Sequence, residues 1–503
     1  MKQKQRKFLG LLCLAALFLM GALLLTSCGT GGSGETADTE TMTGTENITE
    51  KENPSETGSG TGTGDPGETE SPSETKSLTE TDTAPEPGSE LEGLLPILYI
   101  TELDAPLSSV TKEKEQVFRV ALRDGTQELF DCAATLKVQG SSSVRYPKKN
   151  YTLRLYRDTT LLKKNKVDLF GWGKESKFCL KANYVDFSQA RNVVSGDIYG
   201  QIARTRLDDS SPRYALPNCG AVDGYPIAVF LNGEFHGLYT FNIPKDKWMF
   251  GMSDEDDSRM VILMADGWTD STYLFSPVSG EYEESGWDLE YCSTSDDDWV
   301  RKSMNRLISC LNLSDREELM ELLPQYLDID SAIDVLLLTM MMAGTDNVAK
   351  NLLYVTYDGV RWTVSPYDMD LTWGMAWDTS HFYDADYEGL IPRIRTNGTA
   401  LFENGRMQLW NVLFSCYGDR ILRRWNELKE TCLGSDQIKS AFAGFFSRIP
   451  DAAYALDREK WQGIPQSRVD QKNQIYGFID ARWSALNRFF TEWENRRSDA
   501  GAS

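Results

Sequence analysis

Asp346-Asn347-Val348-Ala349-Lys350-Asn351, followed by Leu352-Leu353-Tyr354-Val355-Thr356-Tyr357, Asp358-Gly359 and, after a second short run, Asp368-Met369-Asp370, is the stretch on which the reading of this chain turns. Residues 352–357 and 361–365 are rich in β-branched and aromatic side chains and flank an Asp-Gly turn signal, so an antiparallel hairpin is predicted. A hairpin brings the residue before its first strand beside the residue after its second. Asn351 and Asp368 are therefore predicted neighbours, with Asp346 five residues before Asn351. Carboxylate and amide oxygens gathered in this way are hard donors suited to Mg²⁺ or Mn²⁺.

An Asp, an Asn five residues on and a hairpin returning to a second Asp have the spacing of a protein-kinase catalytic loop and its metal-binding Asp. Three blocks stand upstream of it. They are Gly140-Ser141-Ser142-Ser143 with Pro147-Lys148-Lys149-Asn150-Tyr151, the segment LKANYVDFSQARN at 180–192, and Leu231-Asn232-Gly233-Glu234-Phe235-His236-Gly237-Leu238-Tyr239. With four blocks in this order, residues 95–490 resemble the CotH kinase family, the spore-coat-protein-H-like atypical kinases, in a bacterial lipoprotein form. The resemblance implies an α+β, kinase-like, two-lobed fold with a β-rich N-lobe and a helical C-lobe. It also implies ATP-dependent phosphoryl transfer to Ser or Thr of exported or cell-surface proteins, with ATP and Mg or Mn as cofactors.

On this reading Asp346 is the catalytic carboxylate that orients the acceptor hydroxyl, and Asn351, Asp368 and Asp370 are the metal ligands. Backbone N–H groups of Gly140, Ser141, Ser142 and Ser143 would meet the nucleotide phosphates. The resemblance also places a phosphate-contacting cation at Lys148 or Lys149; successive strand residues point to opposite faces, so only one of the two can serve. Two positions depart from the family pattern. Asn242 stands where many relatives end a strand in Glu, and Val348 replaces the usual His two residues after the catalytic Asp. The alternative is a non-catalytic surface module of the same fold that binds glycan or protein through its aromatic side chains.

Residues 1–28 begin with Lys2, Lys4, Arg6 and Lys7, continue in an apolar run from Phe8 to Leu25 and end in Thr26-Ser27-Cys28. That is the pattern of an export signal, and its end resembles a lipobox in which Cys28 is lipidated and holds the mature chain on the outer side of the cell membrane. From 29 to about 92 the chain is almost wholly Gly, Ser, Thr, Glu, Asp and Pro, and is predicted to be an extended acidic tether. The formal net charge of −23 argues against nucleic acid or an anionic membrane surface as a partner; the resemblance implies a protein substrate, and the lipobox a membrane anchor through Cys28.

The remaining residues are enough for two lobes around a cleft. Residues 97–101, 117–122, 132–139, 151–156, 225–231 and 235–241 read as strands of an antiparallel sheet. Asp186 with Gln189 reads as a capping box that opens a helix. The β-rich part is bounded at 93–250. Residues 251–300, crowded with acidic groups around Trp268, Tyr273 and Trp287, read as an aromatic-acidic insertion. A helical region at 301–495 follows, with helices at about 297–312, 315–326 and 329–343 and a last one marked by Ile475, Phe478, Ile479, Arg482, Leu486, Phe489 and Trp493. Asn183, Arg191 and Asn192 are given a structural role. The acidic runs 254–257 and 296–298 lack Ca²⁺-loop spacing and read as solvated charge. Seven cysteines follow Cys28 without Cys-x-x-Cys spacing, and read as scattered thiols.

Overall fold

A computed structural model describes residues 89–206, 211–253, 259–384, 387–403, 407–462 and 470–502. The predicted export signal with Cys28, the tether up to residue 88 and the acidic run 254–257 lie outside the described residues.

The first half is built from β1 (Ile97–Glu102), β2 (Gln116–Asp124), β3 (Gln127–Gln139), β4 (Asn150–Tyr156), β7 (Lys177–Lys181), β8 (Gly224–Leu231) and β9 (Glu234–Asn242), with β5 (Val167–Asp168) and β6 (Lys174–Glu175) as a small side hairpin. Period-two alternation shapes these strands: Tyr151, Leu153 and Leu155 of β4 are buried while Thr152 and Arg154 are part-exposed. The expected antiparallel sheet closes on itself. β1 pairs with β8 in parallel, Ile97 opposite Ala228 and Ile100 opposite Leu231, giving a seven-stranded barrel in the order β1-β2-β3-β4-β7-β9-β8. Strand twist makes such closure possible, and each of the seven described strands has a neighbour on both sides. The β8–β9 turn is Asn232-Gly233 with φ of +52° and +89°, the left-handed pair that a two-residue hairpin needs.

A second sheet has the order β11-β10-β12-β13, from β10 (Val261–Ala265), β11 (Trp287–Cys292), β12 (Leu352–Thr356) and β13 (Thr363–Pro366). The predicted hairpin is thus present as β12–β13, and the segment expected as an insertion supplies the two strands beside it. Val261-Ile262-Leu263-Met264-Ala265 is buried at every position. A five-residue apolar run of this kind is too short to carry a periodic signal of its own among acidic neighbours.

Helix α1 (Arg191–Arg204) begins later than the capping box predicts. Gln189 has φ +62°, and the Asp186 carboxylate accepts from the Arg191 amide at 2.9 Å. The helices α2 (Asp298–Leu311), α3 (Arg316–Tyr326) and α4 (Ile329–Met342) follow the predicted periodicity closely. Nearly every residue of α4 is buried, because it is packed against β13 and α1 and against the last helix. The chain continues through α5 (Gln408–Cys416), α6 (Gly418–Leu428), α7 (Ser435–Phe446), α8 (Asp451–Lys460) and α9 (Gln471–Ala502), the last burying its predicted apolar stripe. The molecule is α+β. All seven described cysteines are free thiols.

Candidate active site

Helix α4 ends at Ala343, which takes a left-handed φ of +49°, and the chain turns through a one-turn helix at Asp346–Val348. Asn347 is buried there and ties together the two ends of the hairpin, its amide donating to Tyr367 O at 2.8 Å and to Asn351 O at 3.3 Å. Tyr367 N donates to Asn351 O at 2.9 Å, and the Asn351 amide reaches Asp368 O at 3.4 Å. The predicted neighbours therefore meet. Asn351 and Asp368 both hold positive φ, +55° and +49°. Asn and Asp tolerate this region best among residues with a side chain.

The next turn is pinned from the barrel side. Met369 N donates to Asn192 Oδ1 at 3.0 Å, and Arg191 Nε to Thr372 O at 3.0 Å while Arg191 is paired with Asp186 in full burial. The LKANYVDFSQARN segment thus fixes the backbone on which Asp368 and Asp370 stand. Burial, and then Asp368, push the Asp370 carboxyl well above the ordinary range. Asp346 is also raised, by burial first and by Asp368, with Lys350 opposing.

The two lysines expected at the phosphates are already engaged. Lys148 is fully buried, with its ammonium 2.8 and 3.0 Å from the Asp457 carboxylate oxygens of α8 and also bonded to Leu238 O. Lys149 donates to Val144 O and Tyr146 O. Sequence reasoning missed Lys181, at the end of β7, whose ammonium lies 3.7 Å from Asp368 Oδ1. Burial works against its charge, but Tyr367, Asp368 and Asp370 outweigh burial and hold its pKa above the ordinary lysine value. The available signal was its place at the end of the short apolar run Phe178-Cys179-Leu180, which Lys177 and Lys181 flank. Lys245, also unforeseen, pairs with Glu290 at 2.5 Å and lies 5.3 Å from the centre of the Tyr367 ring, beside which Lys181 also stands.

Two spaces open at Asp368. A cavity of about 40 Å³ is bordered by Ser143, Lys148, Lys181, Asn192, Asp368 and Asp370. A cleft of about 490 Å³ is bordered by Gly140, Ser141, Lys181, Lys245, Asp266 and Asp368. Gly140 and Ser141 thus reach the cleft and Ser143 the small cavity, while Ser142 is exposed on a short helical turn. Gly140 has φ +111°, and a Cβ there would strike Ser143 Oγ. Asn242 lies opposite Cys179, two residues along β7 from Lys181, with both amide atoms buried and without a hydrogen-bond partner among the described residues. Val348 is partly buried, and its carbonyl accepts from Trp410 Nε1 at 2.7 Å. The three carboxylates at Asp296–Asp298 lie close together on the surface, remote in sequence from this cluster.

Residues 136–486 match the family model described as CotH kinase protein. No curated protein matches the chain.

Proposed function

The chain belongs to the CotH kinase family, and on that premise we propose that it transfers the γ-phosphoryl group of ATP to Ser or Thr hydroxyls of exported or cell-surface proteins. The observation that carries the reading is the meeting of Asn351 and Asp368 at one hairpin base, with Asp346 near enough to feel the Asp368 charge and Lys181 at ion-pair distance from Asp368. The barrel and the helical region serve as the two lobes of a kinase-like fold. The nucleotide lies in the cleft bordered by Gly140, Ser141, Lys181 and Asp368.

The donor set fits a hard divalent cation. Asn351, Asp368 and Asp370 would hold Mg²⁺ or Mn²⁺, and the crowding that raises the Asp370 carboxyl is one that a shared cation relieves. When bound, the ion supplies neutralising charge to the phosphate oxygens. Lys181 takes the role first given to Lys148 or Lys149, because its ammonium is held loosely at the open carboxylate while theirs are bonded elsewhere. Asp346 orients the acceptor hydroxyl and takes its proton as the new P–O bond forms and ADP leaves. Its desolvated carboxylate is a better base than one in water. The chain acts outside the cytoplasm, tethered through a lipidated Cys28.

Incubating the purified protein with labelled ATP and Mg²⁺ or Mn²⁺ tests the reading, with labelled protein as the expected result. Nucleotide binding without transfer to itself or to any offered acceptor would leave the non-catalytic module, which the exposed indoles of Trp268 and Trp377 favour as its binding surface.

A further inference from the structure

Asp346 borders a second space that none of the nucleotide-side groups reaches. It is a groove of about 590 Å³ whose walls include Trp268, Tyr273, Trp377, Tyr387, Ile391 and Phe402. Asp368 borders the nucleotide cleft and Asp346 borders this groove, and the two carboxylates are close enough for the charge of Asp368 to act on Asp346. With Asp346 as the base, a peptide seated in the groove has its neighbouring hydroxyl at the groove wall that Asp346 forms. Resting on the phosphotransfer reading, we infer that the groove seats a large apolar or aromatic side chain of a peptide acceptor, close in sequence to the Ser or Thr that is phosphorylated.

The walls are built to persist. Tyr387 stacks on Tyr383 with ring centres 4.0 Å apart, and its carbonyl accepts from Arg482 Nη1 at 2.9 Å; the same buried guanidinium holds Met340 O at 2.8 Å. Phe402 packs edge-on against Phe414 of α5. Trp268 lies beside Tyr273, and the two indoles of Trp268 and Trp377 stay 46% and 63% exposed. Large aromatic faces left open at a fixed site gain most by covering an apolar side chain.

The choice of a peptide over a glycan follows from the polar inventory. A sugar ring presents hydroxyls all round its edge that need partners when buried. Here the polar side-chain groups of the lining are those of Thr345, Asp346, Glu388 and Glu403 with the two tyrosine hydroxyls and the two indole N–H groups, set among Val348, Leu390, Ile391, Phe402 and Met407. Thr345 Oγ1 is buried and without a hydrogen-bond partner among the described residues, which suits one peptide N–H or C=O. The carboxylates of Asp346, Glu388 and Glu403 repel acidic peptides from the same groove.

The test uses the full-length protein and two uncharged peptides with a single Ser, identical except for Phe or Ala beside it. The expected result is a kcat/KM for the Phe peptide at least about tenfold above that for the Ala peptide, the value of burying an aromatic side chain. Trp268→Ala should bring that ratio close to one, while nucleotide affinity and the unfolding midpoint report that the fold is intact. Equal rates on the two peptides, or a preference that survives both Trp268→Ala and Phe402→Ala, would overturn the inference and leave the phosphotransfer reading standing. If no peptide is phosphorylated, fluorescence anisotropy of the same peptides with Mg²⁺ and a non-hydrolysable ATP analogue decides separately. Tighter binding of the Phe peptide, lost in Trp268→Ala, keeps the groove and removes the kinase reading. Equal binding of the two, or displacement of the Phe peptide by a neutral oligosaccharide at lower concentration, removes the groove.

Discussion

Two lysines beside the same small cavity, Lys148 just before β4 and Lys181 at the end of β7, differ in what surrounds their ammonium groups: the Lys148 side chain is fully buried and that of Lys181 is 15% exposed. Lys148 faces Asp457 across a pair whose side chains are 0% and 1% exposed, and Asp457 also accepts from Leu238 N at 2.8 Å. Lys181 faces Asp368 at 3.7 Å, and that carboxylate is 43% exposed. A closed pair whose acceptor sites are taken up clamps α8 onto β9 and has little left to offer a ligand. A loose pair at an open carboxylate leaves donors for phosphate and acceptors for a cation. What separates structure from site here is the openness and saturation of the partner, since both lysines carry the same charge and each faces one carboxylate.

The largest expected effect tests the closed pair. Asp457→Ala strands an ammonium in full burial and should cost about 3–5 kcal/mol of stability in chemical denaturation. Replacing both partners, as Lys148→Met with Asp457→Leu, should recover most of that loss. A stable Asp457→Ala protein would break the comparison.

Asp346→Asn should reduce phosphate transfer at least about a hundredfold, with nucleotide affinity and stability close to the parent. Transfer at the parental rate would reduce Asp346 to a loop carboxylate.

The open pair should respond in binding before it responds in stability. Lys181→Met is expected to weaken nucleotide binding about tenfold or more, with or without metal, as loss of one charge-assisted bond implies. Asp368→Asn should weaken it only when Mg²⁺ or Mn²⁺ is present. Titration calorimetry of both variants in both conditions separates cation from metal ligand; the same pattern for the two would merge their roles.

The smallest effect concerns His236, beside the closed pair. Burial, then Lys148 and Lys460, lower its pKa to about 4. Its folded form is therefore neutral at neutral pH, and the unfolded chain binds the additional proton as pH falls below the ordinary histidine value. Stability should decline between about pH 6.5 and the folded value near 4 and level off below; the whole shift corresponds to roughly 3 kcal/mol, reduced to about 1–2 kcal/mol by solvent screening of the partly exposed ring. His236→Phe should flatten that slope in urea unfolding followed across this range. An unchanged slope would show that the acid loss arises elsewhere.

Much of the site was legible because it is local. The Asp346-to-Asn351 offset and the hairpin geometry require only β-pairing to bring Asn351 beside Asp368, and pairing does so. The helices α2, α3, α4 and α9 were legible for a similar reason, each carrying its own apolar period. β10 was not, since five apolar residues acquire their meaning only from pairing with the distant β12. Asn192 was assigned a structural role, and its bond to Met369 N shows which structure it holds: the turn between Asp368 and Asp370.

The sequence by itself determined the order of the four blocks, the α+β composition, the hairpin and the meeting of Asn351 with Asp368, because each depends on residues near one another along the chain. Only the tertiary structure decided which lysine faces Asp368 and which aromatic side chains border Asp346. The Lys148 ammonium is closed by a carboxylate 309 positions away, and the groove is assembled from β10–β11, the segment after β13 and the approach to α5. Side-chain saturation and wall composition are set by which distant elements pack together, and a strand's alternation fixes the face on which a lysine lies without fixing what it meets there.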